Sequence, residues 1–221
     1  GSEMCIRDRF MGDPRHLLIE LESNLRKQNL TPVIGVELEF YLIKIKSNLE
    51  YSDSNMYSIS EIDKHHELFD DISKTSEENN IKIESTISEA GPGQFEIVLL
   101  HSNSLVSVAE NIIFLKYIIR SLALKYGYDV SFMSKPFGNL PGNGIHVHYS
   151  ILDDRNKNIF DNGTLEGSSS LMFAIGGLME TMSELTLIMA PHLNSYRRIV
   201  SETHAPNICL LYTSPSPRDL R

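Results

Sequence analysis

The most restrictive feature of this 221-residue chain is residues 33–45, in which apolar and polar residues alternate among β-branched and aromatic neighbours. Such alternation predicts a half-buried β-strand. Because side chains along a strand alternate between its two faces, Glu37 and Glu39 fall on one face, and Leu38 and Phe40 fall on the other. Two neighbouring carboxylates on one face repel each other unless a cation neutralises them. The segment is therefore either the solvated polar face of a sheet or part of a cation site.

The rest of the chain shows helical and strand periodicity in separate runs. Apolar spacing predicts helices over about residues 14–28, around 62–72, from 104 to 127 and over about 168–189. Further strands are predicted at 81–88, 94–100, 128–133 and 144–152, with a forced turn at 91–93 and a Gly/Pro-rich loop at 136–143. Because strand and helix runs are segregated, the pattern favours an α+β fold over a doubly wound sheet.

Composition narrows the class of protein. The chain has 41% hydrophobic and 22% charged residues, which is typical of soluble globular proteins. Its formal net charge is −9, so there is no basic field to hold phosphate backbones or an anionic membrane surface. No apolar run approaches the roughly 20 residues of a membrane span, and no export signal is recognised. Cys5 and Cys209 are too few for a secreted disulfide framework. We therefore expect a cytoplasmic protein with no nucleic-acid and no membrane partner.

Two further segments place polar side chains where a metal ion could bind. A tight turn between Glu89 and Glu96 brings these carboxylates back towards one another, either as a cation site or as the polar ends of a hairpin. In the strand after the Gly/Pro-rich loop, His146, His148 and Ser150 share one face, which also suits a plain polar surface. The imidazoles alone could suit zinc. Four glutamates with one or two histidines make an oxygen-rich set that favours magnesium or manganese, ions that usually bridge nucleotide phosphates.

Four segments in this order resemble the signatures of the glutamine synthetase family. They are Val-Glu-Leu-Glu-Phe at 36–40, Glu-Ala-Gly-Pro-Gly-Gln-Phe-Glu at 89–96, Gly-Asn-Gly-Ile-His-Val-His at 142–148 and Asn-Ser-Tyr-Arg-Arg at 194–198. The resemblance implies a partial catalytic domain of that family, an α+β fold with a largely antiparallel sheet and flanking helices that resembles the guanidino kinases. The catalytic segment is predicted at 11–207. Residues 1–10 and 208–221 look like translated adaptor sequence and are predicted to be non-native tails.

The resemblance implies two divalent ions, Mg²⁺ or Mn²⁺, and ATP as a substrate. One ion would be bound by Glu39, Glu89 and Glu96. The other would lie against the ATP phosphates and be bound by Glu37 and His146.

The resemblance also assigns positions that contact nucleotide and substrate. Nucleotide-contacting positions match His148, Ser150 and Glu84. The backbone of Gly142 would face the glutamate substrate, and Arg198 would bind a substrate carboxylate as a catalytic residue. Arg198 and its neighbour Arg197 could otherwise be surface charges.

By this resemblance, the parent protein is an ATP-dependent ligase. ATP would convert the side chain of glutamate to an acyl phosphate, from which ammonia or an organic amine displaces phosphate. Glutamine synthetases proper carry a glutamate where this chain has His204, and an asparagine where it has Pro141. Both changes are familiar in relatives that join glutamate to organic amines, including polyamines. They favour an amine ligase, and a true glutamine synthetase with a drifted flap is the alternative.

The family pattern extends beyond this chain. It places a β-rich domain before this region and further metal- and phosphate-binding residues after it, and its sites form between subunits of a homo-oligomeric ring. We therefore expect a fragment with no ligase turnover of its own. Two other classes stay open: a non-catalytic glutamate- or nucleotide-binding relative, which would be expected to lose metal glutamates, and a guanidino kinase, which would lack the His-x-His strand in this order.

Overall fold

The computed structural model describes residues 12–45 and 56–199. Within these residues the elements follow in the order α1 (Pro14–Lys27), β1 (Thr31–Lys44), α2 (Ile59–Asp63), α3 (His66–Glu78), β2 (Ile83–Ser88), β3 (Gln94–Ser102), α4 (Leu105–Lys125), β4 (Tyr128–Ser131), β5 (Ile145–Leu152), α5 (Ser169–Met189) and α6 (Leu193–Tyr196). The segments at 46–55 and 200–221, which include His204, lie outside the described residues.

The longer helices begin where the sequence supplies a capping side chain. The Asp13 carboxylate accepts a hydrogen bond from the backbone N–H of Arg15 at the start of α1. The Ser104 and Ser168 hydroxyls accept from the third residue after them at the start of α4 and α5. These caps satisfy backbone N–H groups that have no partner inside the helix. The predicted starts of all three helices are therefore confirmed to within one residue.

The five strands form one sheet with β1 at its centre. On one side β1 pairs with β3, which in turn pairs with β2. On the other side the first half of β1 pairs with β5 and the second half pairs with β4. Every one of these pairings is antiparallel. The predicted α+β fold with a largely antiparallel sheet and flanking helices is confirmed.

One face of the sheet forms the core with α3 and α4. Alternation along β1 places Leu38 and Phe40 on this face, where they join Ile97 of β3. The helices contribute fully buried residues such as Ile72 of α3 and Leu115 of α4. Burial of these side chains removes apolar surface from water and leaves the opposite face of β1 free for polar groups.

Three details differ from the sequence predictions. The weak helix predicted around residues 62–72 is two helices, α2 and α3, and the short α6 was not predicted.

By length and composition alone, helix α5 is long and apolar enough to cross a membrane, and within the described part it is the one helix that is. The prediction that no apolar run approaches this length was too strict, because α5 carries only Glu180 and Glu184 as charged residues. A single such helix is weak evidence for a membrane, and no residue of α5 is buried in the structure.

Candidate active site

Strand register brings acidic and imidazole side chains together on the face of the sheet opposite the core. Across β1 and β5, Glu37 lies directly opposite His146. Across β1 and β3, Glu39 lies directly opposite Glu96. Directly opposed residues on neighbouring strands have their side chains on the same face. The period-two prediction for Glu37 and Glu39 therefore extends over three adjacent strands.

Distances within this group are short enough for a shared cation. His146 Nδ1 lies 3.2 Å from Glu37 Oε2 and 3.7 Å from Glu39 Oε1. One donor atom from each of Glu37, Glu96 and His146 can be chosen so that all three lie within 4.8 Å of one another. Donor atoms that each lie about 2.0–2.6 Å from one ion are at most about 5.2 Å apart, so this spacing fits a shared ion. The donor set of carboxylates with one imidazole fits Mg²⁺ or Mn²⁺.

Glu89 joins the group from the turn between β2 and β3. Burial raises the pKa of the Glu89 carboxyl, and the nearby charge of Glu39 raises it further. The charge of His146 acts on the same carboxyl in the opposite direction. The structure thus brings Glu37, Glu39, Glu96 and His146 together, and Glu89 lies in the adjacent turn, where its charge interacts with those of Glu39 and His146.

The electrostatics of this carboxylate cluster show that it is crowded with negative charge. Burial raises the pKa of Glu96 to about 7, and the carboxylates of Glu37, Glu89 and Glu39 add to the shift. The pKa of His146 is also raised, first by its hydrogen bond to Glu37. The Glu96 shift follows first from burial and then from repulsion between like charges, and the His146 shift follows from the stabilisation of a cation beside carboxylates. A divalent ion would relieve the same repulsion.

The positions matched to nucleotide contacts divide into two groups. His148 Nε2 lies 3.0 Å from Glu37 Oε1, so His148 borders the cluster, and Ser150 lies two residues farther along β5 on the same face. Glu84 is exposed at a register shift in β2, and Ile87 is the β2 residue opposite Glu96. Three residues of strand span about 10 Å, so Glu84 is not brought into the cluster.

Arg198 reaches the cluster from beyond α6. The α6 segment is held against the loop before β5, because the Asn194 side chain accepts from the backbone N–H of Lys135 at 2.7 Å and donates to its carbonyl at 2.8 Å. A Cβ built on Gly144 would lie 2.8 Å from Arg198 Nη2 and 3.2 Å from His146 Nε2. Only glycine therefore permits this approach of the guanidinium, which places Arg198 beside the metal-ligand candidates.

Gly142 lies in the same loop as Gly144, and its carbonyl accepts a hydrogen bond from the Gln94 side chain at 3.0 Å. The backbone N–H of Gly144 donates to Glu39 Oε2 at 2.8 Å. The loop that the resemblance assigns to the glutamate substrate is therefore attached directly to the carboxylate cluster.

Sequence reasoning missed four residues around the site. Tyr41, Gln94 and Asn143 are buried polar residues that hydrogen bond across the site, as described below. Gln94 could have been found, because it lies two residues before Glu96 and shares its strand face. Tyr57 is held near the cluster by a backbone hydrogen bond to Ser88. Burial raises the pKa of the Tyr57 hydroxyl, and the charges of nearby carboxylates, that of Glu89 foremost, raise it further.

Comparison with known proteins agrees with this architecture. Residues 11–214 match the family model described as glutamine synthetase, catalytic domain. Gamma-glutamylputrescine synthetase PuuA of Escherichia coli is 30% identical over 211 residues, which cover 89% of this chain and 45% of that protein. Glutamine synthetase of Pyrococcus horikoshii is 34% identical over 200 residues, which cover 89% of this chain and 44% of that protein. The chain thus spans about half the length of the curated relatives it matches.

Solved structures show the same fold. Apo GmaS without ligand has a TM-score of 0.78 at 26% identity, over 87% of this chain and 47% of that one. Plasmodium falciparum glutamine synthetase, at 20% identity, has a TM-score of 0.76 over 86% of this chain and 44% of that one, and shows the fold alone. Since the family model matches most of the sequence, the chain belongs to the glutamine synthetase family, a family of ligases, through its catalytic domain.

Proposed function

We propose that this chain is the metal- and nucleotide-binding part of the catalytic domain of an ATP-dependent ligase that forms a γ-glutamyl amide. The observation that carries the proposal is the gathering of Glu37, Glu39, Glu96 and His146 on one sheet face, with Glu89 beside them in the turn before β3. Four neighbouring carboxylates repel one another, so a fold retains such a group most readily where cations bind. Family membership supplies the reaction class for this cation site.

The reaction needs two transfers. An oxygen of the γ-carboxylate of glutamate attacks the γ-phosphorus of ATP and ADP leaves, which makes an acyl phosphate. The nitrogen of an amine or ammonia then attacks the acyl carbon, phosphate leaves, and the nitrogen loses a proton. Mg²⁺ or Mn²⁺ bound by the five ligand candidates would neutralise the negative charge of the phosphates during the first transfer.

The residues of this chain would orient the reactants. The Gly144 N–H fixes one oxygen of Glu39, so that this carboxylate keeps its position beside the sheet. Arg198 presents a guanidinium beside His146, where it can bind a carboxylate through paired N–H groups. His148 and Ser150 continue the same face along β5 and are our candidates for nucleotide contacts, whereas Glu84 would need another segment to bring a nucleotide to it.

Manganese titration of the purified chain tests the metal site. Loss of one ligand carboxylate should weaken Mn²⁺ binding by roughly 10-fold or more, in line with the effect of altering even the outer shell of a metal site. We expect this loss in Glu37→Gln and Glu96→Gln, measured by the electron paramagnetic resonance of free Mn²⁺. Glu78→Gln, on the exposed end of α3, is the matched control. Equal Mn²⁺ affinities in the unaltered chain and its three variants, or no Mn²⁺ binding by the unaltered chain, would contradict the metal site.

We infer that the acceptor in the parent protein is an organic amine. The support is the sequence difference at His204 and Pro141, together with the similarity to gamma-glutamylputrescine synthetase. A neutral imidazole attracts ammonium less well than a carboxylate does, so ammonia would be held poorly. Relatives named glutamine synthetase with 34% identity support the ammonia alternative. ADP release by the parent protein with putrescine, ethanolamine or ammonia decides between them, and a clear preference for ammonia would reject the amine.

A further inference from the structure

Gln94 is a buried side chain whose amide joins two segments of the site. Only 2% of Gln94 is exposed. Its Oε1 accepts from the backbone N–H of Gly91 at 3.0 Å, within the turn that separates Glu89 from Glu96. Its Nε2 donates to the carbonyl of Gly142 and to Asn143 Oδ1, each at 3.0 Å. One planar amide therefore holds the turn on one side and the Gly142 loop on the other.

The loop side of this connection is itself anchored. Asn143 Nδ2 donates to the carbonyls of Ser131 and Met133, each at 3.0 Å, and Asn143 is 4% exposed. The backbone N–H of Asn143 donates to the carbonyl of Ser134 at 2.9 Å. These hydrogen bonds attach the loop to the end of β4 and the residues after it. Gln94 in turn connects the loop to the turn at Gly91.

Tyr41 makes a second, parallel connection. Its hydroxyl donates to the carbonyl of Pro141 at 2.8 Å. A Cβ built on Gly91 would lie 2.1 Å from the same hydroxyl oxygen, so the turn packs directly on it. Tyr41 and Gln94 are opposed residues on β1 and β3 and share the face of the carboxylate cluster.

Packing alone does not explain a glutamine at this position. Burying an amide is unfavourable unless its polar atoms are hydrogen bonded, and an apolar side chain of similar volume would fill the space. Both polar atoms of this amide are satisfied, and all their partners belong to the turn or the loop. Fully satisfied buried networks fix the relative position of the segments that they join.

We propose that Gln94 is a positioning residue that fixes the Gly142 loop relative to the turn between Glu89 and Glu96, and so couples the substrate loop to the metal site. The inference rests on the proposed function, because the roles of the loop and the cluster come from it. Coupling of this kind means that release of the loop weakens metal binding, although Gln94 itself touches neither metal nor substrate.

The test uses the chain with a reporter on the loop. The sequence has no tryptophan, so Phe137→Trp introduces a single tryptophan into the loop before β5, where Phe137 packs against Tyr41 of β1. Gln94→Met in this background removes the amide at similar volume. Gln28→Met is the matched control, because Gln28 is the only other glutamine and lies exposed at the end of α1. Acrylamide quenching of the fluorophore reports the loop, and Mn²⁺ titration reports the cluster, both well below the melting temperature.

We expect Gln94→Met to weaken Mn²⁺ binding by roughly 10–100-fold, the range found for supporting groups around metal sites, and to increase quenching. Gln28→Met should change neither. A purely structural role would lower only the melting temperature. Unchanged quenching, unchanged affinity, or a change in only one of them would overturn the coupling.

Two further outcomes are also decisive. If the reporter protein binds no Mn²⁺, the metal site is contradicted, and Gln94 is then judged as a loop-positioning residue on quenching alone. If Gln94→Met does not fold, Gln94→Glu takes its place, since it keeps the acceptor for Gly91 and loses both donors. The same readouts and the same criteria apply to it.

Discussion

At the scale of single residues, Glu96 links protonation to folding. Its pKa is raised from 4.5 to about 7 in the folded chain, first by burial and then by neighbouring carboxylates. The folded state therefore binds more protons than the unfolded state between these two values. Stability falls as pH rises through this window, and the full penalty is present above about pH 7. The raised pKa of His146 acts in the same direction, because the stability it contributes below 6.5 is lost as pH rises through its folded pKa.

Glu96→Gln should remove most of this penalty in the metal-free chain. A pKa shift of this size corresponds to roughly 3 kcal/mol, so the variant should be more stable than the unaltered chain by up to about that amount at about pH 8, and much closer to it at about pH 5. Urea unfolding at the two pH values measures the difference, with Glu78→Gln as the exposed control. A variant that is destabilised equally at both pH values would show that Glu96 is held by contacts other than these charges.

Residue-level reasoning from the sequence succeeded where periodicity decides the outcome. Alternation along a strand places Glu37 with Glu39, and His146 with His148, on one face, because backbone geometry allows no other arrangement. The approach of Arg198 to Gly144 depends on how α6 docks, and no local pattern encodes that distance. The register shift beside Glu84 in β2 was equally invisible, since it has no evident sequence marker.

At the scale of elements, α4 shows how an apolar stripe becomes a core contact. Apolar residues recur at helical spacing along α4, and Val108, Leu115, Ile119 and Leu122 of this stripe are buried in the structure. Ile112, on the edge of the stripe, is partly buried against the same core. The helix prediction was accurate because α4 is long and has a clear cap. Shorter elements such as α6 depend on tertiary contacts, which sequence periodicity does not report.

Leu115→Ala should destabilise the chain by roughly 2–4 kcal/mol, because truncation of a fully buried leucine loses apolar burial and leaves a cavity. Ile113→Ala, two residues earlier on the same helix, is the matched control, since Ile113 is 60% exposed. The control should change stability by less than about 1 kcal/mol. Chemical denaturation of both variants measures the difference, and equal losses would show that α4 does not pack on the sheet through the face described.

At the scale of the whole molecule, β1 gives the fold its architecture. It is the one strand of the described part that pairs with three others, and it contributes to both the core face and the carboxylate face of the sheet. Strand positions and the fold class could be predicted from the sequence. The branching of two strands along one edge of β1 could not, because pairing partners are chosen by long-range packing and not by local pattern.

This central strand has a kinetic consequence. Glu37 and His146 are 109 residues apart in the chain, and the Gly144 N–H and Glu39 are 105 apart. Closing such long loops is entropically unfavourable and slows folding, so the pairing of β5 with β1 should be among the later events. A divalent ion that needs His146 together with the glutamates can recognise only chains that have completed this step. Bound metal would then stabilise the folded state by mass action and would act as a marker of finished folding.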